Sequence, residues 1–478
     1  MARENAWNTF DRGQHKSCMD LAEDYKEFLS SCKTERECVD RFVNDAEANG
    51  YMELNEVRRE GRKLKAGDRV YSVWMNKSMV IFEIGRAPIE EGLNIVGAHI
   101  DSPRLDVKQN PLYEDSDIAY MDTHYYGGIK KYQYVTLPLA IHGVIVKKSG
   151  ETVILRVGED EDDPVFFISD LLIHLSQEQM KKPAASVIEG EALDVIVGSK
   201  PVYLDESIKC SDQGGDKDSG KDAVKKALLR ILEEYYGIDE EDFVSAELEV
   251  VPAGKARDAG FDRSMILGYG QDDRACAYPA FRAQIESHDL DRTSCTLLVD
   301  KEEIGSVGAT GMRSRFFENA LAELMDLCGQ YSELSLRRAL ANSCMLSSDV
   351  SIAFDPSYAS VFEKKNSSYL GKGVAFNKFT GARGKSGSND ANAEYIAHLR
   401  QIFEEEKVCV QTSELGKVDA GGGGTIAYIL ALYGMNVIDC GVPVLSMHSP
   451  WEAISKADLY SALCAYRAFF KKASLKSI

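Results

Sequence analysis

Residues 297–306 read LLVDKEEIGS, and the reading of the whole chain turns on them. Leu297, Leu298 and Val299 form an apolar run of the kind that ends a buried strand. Two adjacent carboxylates follow, Glu302 and Glu303, and then Gly305. On an extended backbone successive side chains point opposite ways. A strand carried through this pair therefore sends two carboxylates into different parts of one pocket. One could bind a metal while its neighbour takes a proton from a bound water. Taken alone, the pair reads more plainly as a solvated acidic turn. Its place directly after an apolar strand is where open α/β sheets put their ligands, so the rest of the chain decides.

Four other segments share this arrangement. Ile95–Ala98 is apolar and runs into His99-Ile100-Asp101-Ser102-Pro103. Imidazole binds zinc through one nitrogen, and its other nitrogen usually donates to a carboxylate or carbonyl. Residues at i and i+2 of a strand share a side, so Asp101 can back His99. Ile266–Gly270 leads into Gln271-Asp272-Asp273-Arg274 and a helical run, Ala275–Ile285. Two aspartates there could cap the helix or supply a carboxylate that bridges two metals. Cys344–Leu346 ends in Ser347-Ser348-Asp349, and Val444–Met447 in His448-Ser449-Pro450-Trp451-Glu452. Together His99, Asp272, Glu303, Asp349 and His448 offer two imidazoles and three carboxylates. That set suits two zinc ions about 3.5 Å apart with one shared carboxylate. Glu302 remains beside it, free to act as a base.

Further outward, residues 16–48 read as helices, with Gly50 as a stop. Val70–Ile84 reads as a hairpin turning at Asn76-Lys77. From 109 to 246 the composition changes and short β-like runs appear at Tyr132–Leu139, Ile141–Lys147 and Thr152–Val157. A helix-like segment, Ile168–Gln179, carries His174. Ser207–Asp222 is polar and glycine-rich, a flexible excursion, and Ala223–Tyr236 reads as a helix. This stretch is taken as an inserted domain. Beyond it, Gly371–Phe379 contains Lys378, and Arg383–Ser388 is a small-residue loop. Ala420–Thr425 (AGGGGT) opens a short helix and lacks the Gly-Lys-Ser/Thr of a nucleotide loop. It serves either tight packing or presentation of backbone N–H groups to an anion or a carbonyl oxygen.

The bulk properties exclude several classes. A chain of 478 residues predicts two domains. A formal net charge of −20 argues against nucleic acid or an anionic membrane as partner. Eleven scattered cysteines with no CxxC fit a reducing compartment. The first 30 residues hold no apolar signal region, and no run reaches the roughly 18 apolar residues of a membrane helix. A cytoplasmic protein is expected.

Seven stretches resemble, in order and across nearly the full chain, the aspartyl aminopeptidase family of co-catalytic zinc aminopeptidases, in its bacterial branch. They are 97–108 (GAHIDSPRLDVK), 168–179 (ISDLLIHLSQEQ), 268–281 (GYGQDDRACAYPAF), 300–311 (DKEEIGSVGATG), 347–358 (SSDVSIAFDPSY), 419–427 (DAGGGGTIA) and 443–452 (PVLSMHSPWE). The resemblance implies an α/β fold, a zinc-peptidase α/β/α sandwich (1–108 and 247–478) with a mostly β inserted dimerisation domain (109–246). It implies hydrolysis of the N-terminal residue from peptides, with a usual preference for Asp or Glu. His99 and Asp349 would hold one zinc, Glu303 and His448 the other, and Asp272 would bridge them, with Asp273 behind it. Glu302 would be the general base and Asp101 would orient His99. His174 would reach a neighbouring subunit's site, within dimers assembled into a hollow dodecamer, and Lys378 would pair with an acidic substrate side chain. Cobalt or manganese could replace zinc on the same ligands. Where the eukaryotic branch has two histidines after the aspartate, this chain has Ile352 and Asp355, which bears on substrate preference. The rival readings are a related di-zinc carboxypeptidase or deacylase and a catalytically silent assembly protein.

Overall fold

The structure, a computed structural model, describes residues 4–201, 222–381 and 384–474. The chain divides into two units, Met1–Ser102 with Lys255–Ile478, and Pro103–Gly254.

Four parallel strands lie side by side at the centre of the first unit: Ser294–Val299, Asn94–His99, Cys344–Ser347 and Asn436–Gly441. They belong to a nine-stranded sheet. The hairpin Arg69–Trp74/Ser78–Glu83 extends it on one side, and Val374–Asn377 and Val410–Ser413 extend it on the other. Alternate residues of the central strands enter opposite cores. Ile95, Leu297, Met345 and Val437 pack with helices Phe316–Leu327 and Glu333–Ala341. Val96, Leu298, Leu346 and Ile438 pack with helices Arg12–Ser31, Glu35–Ala48, Gln271–Glu286 and Lys456–Lys472. Both faces are covered, which is why these strands read as unbroken apolar runs. The result is an α/β/α sandwich. The second core contains a ladder of rings, with Phe42 centred 5.0 Å from Phe28 and 4.6 Å from Phe281.

Local chemistry sets the breaks. Residues 16–48 form two helices because Thr34 starts a new one. Its side chain accepts from the Glu37 N–H while the Glu37 side chain accepts from the Thr34 N–H. The hairpin turns where Met75 and Asn76 take positive φ, 50° and 54°. A second, five-stranded sheet in the same unit runs Arg257–Ala259, Met265–Gly268, Glu452–Ser455, Pro443–Leu445, Ser351–Ile352. It fixes the segments that lead into Asp272, His448 and Glu452.

The second unit is mostly β. Six strands, all paired antiparallel, run in the order Thr152–Val157, Leu139–Val146, Ala246–Pro252, Arg104–Asp115, Ile118–Tyr126, Val195–Gly198. They enclose a separate core with Leu105, Ile141, Leu248 and Val250. Asp106 pairs with Glu249 in this sheet, so the unit extends beyond the boundaries at 109 and 246 read from the sequence. Two local expectations are corrected. Strand structure does not start at Tyr132. Lys131–Gln133 is a 3-10 turn, Thr136 has φ 63°, and the ladder begins only at Leu139, after Pro138, which cannot donate to it. Nor is Ile168–Gln179 a helix: it is a chain of turns, with i→i−3 bonds such as Leu175 N–H to Leu172 O. Helices draw most of their stability from a packed apolar face, and within this unit Leu171, Leu172, Ile173 and Leu175 are exposed. Positions 207–221 of the expected excursion, and Arg383 of the expected loop, lie outside the described residues.

Candidate active site

Three adjacent parallel strands end in the residues singled out above. Asn94–His99 ends on His99, Ser294–Val299 leads to Glu302 and Glu303, and Cys344–Ser347 leads to Asp349. Ligand sites in open α/β sheets form at such carboxyl ends. The small sheet delivers the others. Asp272 follows Met265–Gly268, and His448 lies in the turn between Pro443–Leu445 and Glu452–Ser455, where its φ is 64°.

The Glu-Glu pair is not extended, contrary to the strand reading. Glu302–Ile304 is one 3-10 turn bracketed by Lys301 at φ 68° and Gly305 at φ 94°. About three residues per turn, not strand alternation, spread the two carboxylates. Asp101 holds this turn in place. Its Oδ1 accepts from the Glu302 N–H and its Oδ2 from the Glu303 N–H, both at 3.2 Å. The same residue faces His99, whose Nδ1 lies 3.0 Å from the Asp101 carbonyl and 3.3 Å from its Oδ1. Donation from Nδ1 leaves the Nε2 lone pair for a ligand.

His99 Nε2 lies 3.1 Å from Asp272 Oδ1 and 3.9 Å from Asp349 Oδ1. His448 Nε2 lies 3.3 Å from Asp272 Oδ2 and 3.7 Å from Glu303 Oε2. The two oxygens of Asp272 thus face two different imidazoles, as a bridging carboxylate must. Donor atoms of His99, Asp272 and Glu303 lie within 4.8 Å of one another, as do those of His99, Glu302 and Asp349. Asp272 Oδ1 and Glu303 Oε1 are buried and, among the described residues, accept no aligned hydrogen bond. Buried anionic oxygens converging on imidazoles, without hydrogen bonds of their own, are what a divalent cation satisfies. The residues present therefore fit zinc.

The electrostatics agree. Burial pushes Glu303 and Asp349 up, with the charge of Asp272 adding to both. Burial alone would raise Asp272, but the facing His448 and His99 outweigh it and hold its carboxyl below the usual range. Burial disfavours a charged His99, yet Asp101 and Asp272 push its pKa up. Glu302 is pushed up to about 7, chiefly by burial, and a base poised near neutrality is suited to proton transfer.

Other residues tie the site together, and some had no signal in the sequence. Glu452 Oε1 accepts from the His448 N–H at 2.7 Å and Oε2 from the Asp272 N–H at 3.1 Å. Only its position four residues after His448 hinted at this. Ser102 Oγ donates to the Asp272 carbonyl at 2.6 Å. Asp273, behind Asp272, accepts from the N–H groups of His99 (3.3 Å) and Val350 (3.2 Å). Two expected substrate residues are not part of this cluster. Lys378 is half exposed, with Nζ 3.5 Å from Asp390 Oδ1. His174 is exposed in the second unit.

The model of the family described as aminopeptidase I zinc metalloprotease (M18) matches residues 28–470. The chain belongs to this family. It is 59% identical over 466 residues to the probable M18 family aminopeptidase 1 of Clostridium acetobutylicum, covering 98% of this chain and 97% of that protein. The crystal structure of an M18 family aminopeptidase from Thermotoga maritima superposes with a TM-score of 0.91 at 43% identity, covering 99% of this chain and 100% of the other. The aspartyl aminopeptidase 1 of Schizosaccharomyces pombe is 27% identical over 473 residues, 95% of each chain. Membership makes this M18 protein an aminopeptidase, a metal-dependent exopeptidase with an α/β peptidase fold. Among the described residues no helix is long and apolar enough to cross a membrane.

Proposed function

We propose that this M18 aminopeptidase works with two zinc ions, His99 and Asp349 holding one, Glu303 and His448 the other, and Asp272 giving an oxygen to each. The observation that carries the reading is the pair of Asp272 oxygens, each facing a different imidazole. Bound zinc supplies Lewis acidity to the scissile carbonyl and acidity to an attacking water. Glu302 takes the proton of that water and returns it to the leaving amine. Asp101 keeps His99 in the tautomer that leaves Nε2 open, and it aims the Glu302–Glu303 turn. The free α-amino group of the substrate would bind at one metal and the carboxylates near it, which restricts cleavage to the first residue. Cobalt and manganese suit the same donors.

An N-terminal Asp or Glu is the proposed preference, with Lys378 as its partner. The similarity to an aspartyl aminopeptidase supports it, and Ile352 and Asp355 are the positions where another preference would arise. The inserted unit is proposed as the dimerisation domain of a homo-oligomer. A yeast relative, 20% identical with a TM-score of 0.74, is a dodecamer. Exposed Leu171, Leu172, Ile173 and Leu175 flank His174 and are suited to a subunit contact that would bring His174 to a neighbour's site.

The test is chromophore release from aminoacyl anilides led by Asp, Glu, Leu, Lys or Ala, using metal-stripped protein reloaded with zinc, cobalt or manganese. Metal-dependent release led by Asp or Glu is expected; release led by Leu or Lys would reject the acidic preference. Glu302→Gln should retain zinc and lose turnover by roughly 10²- to 10⁴-fold. Near-normal turnover in that variant would remove Glu302 from the chemistry.

A further inference from the structure

The run Asp419–Thr425 (DAGGGGT) is not used by the chemistry above. Four consecutive glycines cost backbone entropy on folding, and the chain's own packing does not demand them. A Cβ on Gly421, Gly423 or Gly424 would meet nothing nearer than Leu415 O at 4.0 Å, Leu415 Cδ2 at 3.7 Å or Gly387 O at 3.6 Å, respectively. Of the four, only Gly422 has positive φ, 147°. All four are exposed, and among the described residues their N–H groups make no hydrogen bond. Glycines without such an internal requirement leave room for another backbone to come close.

The run is anchored from behind. Thr425 Oγ1 donates to Asp439 Oδ1. Asp439 is buried in the strand Asn436–Gly441, paired with Ser347 on one side and Asn377 on the other. Ser347 lies two residues before Asp349, and Asn377 directly precedes Lys378. The second Asp439 oxygen, Oδ2, is buried and accepts no hydrogen bond among the described residues. Burial pushes Asp439 up to about 7, and the charge of Glu302 adds to this. In front, the Gly381 N–H donates to Gly423 O at 2.7 Å, joining the run to the loop after Lys378.

We propose that Gly421–Gly424 is the rail on which the peptide beyond the scissile bond lies, with glycine N–H groups donating to its backbone carbonyls, and that Thr425 and Asp439 are the positioning pair that holds the rail. The ligand class is an extended peptide of three or more residues. The inference rests on the aminopeptidase reading and adds to it a site for the leaving side of the substrate.

An aminoacyl anilide has no carbonyl beyond the scissile one, whereas a tetrapeptide has several, so the two substrates separate rail from chemistry. Both carry the N-terminal residue that leads the anilide panel. Thr425→Val should raise KM for the tetrapeptide about three- to tenfold more than for the anilide, the effect of one lost hydrogen bond. Thr425→Ser should restore it. Gly423→Ala should raise the tetrapeptide KM as Thr425→Val does, at unchanged melting temperature, because the added methyl clears its neighbours. Equal losses on both substrates would make the pair merely structural and overturn the proposal, as would an unchanged tetrapeptide KM. A changed oligomeric state in Gly423→Ala would show that a second copy of the chain covers the run instead. Should the wild type cleave neither substrate, the reading of the site fails by itself. Calorimetric binding of the tetrapeptide to wild type and to Thr425→Val then decides the rail: weaker binding by the variant supports it and equal binding sinks it.

Discussion

Replacing Asp101 with Asn keeps its shape and removes part of its work. The carboxylate has two acceptor oxygens for three hydrogens, on His99 Nδ1 and on the backbone nitrogens of Glu302 and Glu303. An asparagine offers one acceptor, and its NH2 must face an N–H whichever way it turns. With the oxygen toward His99 and Glu302, the amine opposes the Glu303 N–H. Turned over, it opposes both His99 and Glu302. At least one charge-assisted hydrogen bond is lost in a buried site, a loss of about 1.5–3 kcal/mol. At about 1.4 kcal/mol per decade, that is roughly a 10- to 150-fold fall in kcat/KM. Most of the fall should be in kcat, because the displaced groups are His99, proposed to hold a metal, and the turn of Glu302, proposed as the base. Zinc affinity should weaken as well, by roughly 10- to 100-fold, as it does when the partner of a ligating histidine is removed. Steady-state hydrolysis of the best anilide gives the first quantity, and competition with a fluorescent chelator gives the second. If kcat/KM and zinc affinity both stay near wild type, Asp101 neither orients His99 nor aims Glu302.

Three other changes probe separate parts of the argument. Glu452→Gln removes one of the two acceptors that hold His448 and Asp272; zinc affinity should drop about tenfold while far-ultraviolet circular dichroism stays unchanged, and unaltered affinity would refute the role. Burial pushes the Asp458 carboxyl up to about 8 despite the N–H groups of Gly371 and Gly373, each at 2.7 Å. The native state therefore binds this proton more tightly than the unfolded chain does, so its contribution is whole below about pH 4 and lost as pH rises toward about 8; the melting point of Asp458→Asn should fall less than that of wild type between pH 5 and 8, and parallel curves would contradict it. Phe42→Ala breaks the ring ladder with Phe28 and Phe281 and should lower unfolding free energy by about 3–5 kcal/mol, measured by urea titration, whereas a loss below about 1 kcal/mol would mean that the core closes over the gap.

Much of the fold was readable because its strongest signals are local. Strands covered on both faces, such as Ile95–Ala98 and Leu297–Val299, are apolar without interruption, and the polar residue that ends each run marks the sheet's carboxyl edge. That is why His99, Glu302, Glu303 and Asp349 could be singled out from sequence. The failures are positions where distant chain decides. Nothing local says that Lys301 takes a positive φ, so the Glu302–Glu303 pair read as extended. Leu171, Leu172, Ile173 and Leu175 have helical spacing, but within their unit no core receives them and the segment stays a chain of turns. Glu452 and Asp439 were missed for a related reason: each is a buried carboxylate with a partner on another loop, and sequence carries no trace of a hydrogen bond such as that of Glu452 to Asp272, across 180 residues.

The donor set depends on three carboxylates that point at backbone. Asp273 accepts from the N–H groups of His99 and Val350, Asp101 from those of Glu302 and Glu303, and Glu452 from those of Asp272 and His448. Each of them ties together segments that are far apart in sequence, and between them they touch every loop that carries a donor. Burying so many carboxylates together is unfavourable unless cations and N–H groups answer them. Their partners are therefore divided: Asp273 and Glu452 are answered by backbone N–H groups and Asp101 by backbone N–H groups and His99, while Asp272, Glu303 and Asp349 are the carboxylates proposed to be answered by metal. A helix or strand can place one side chain accurately, but this site draws on five loops. The placement of Asp272, whose two oxygens face two imidazoles at once, follows from cross-linking those loops to one another and not from the sheet alone.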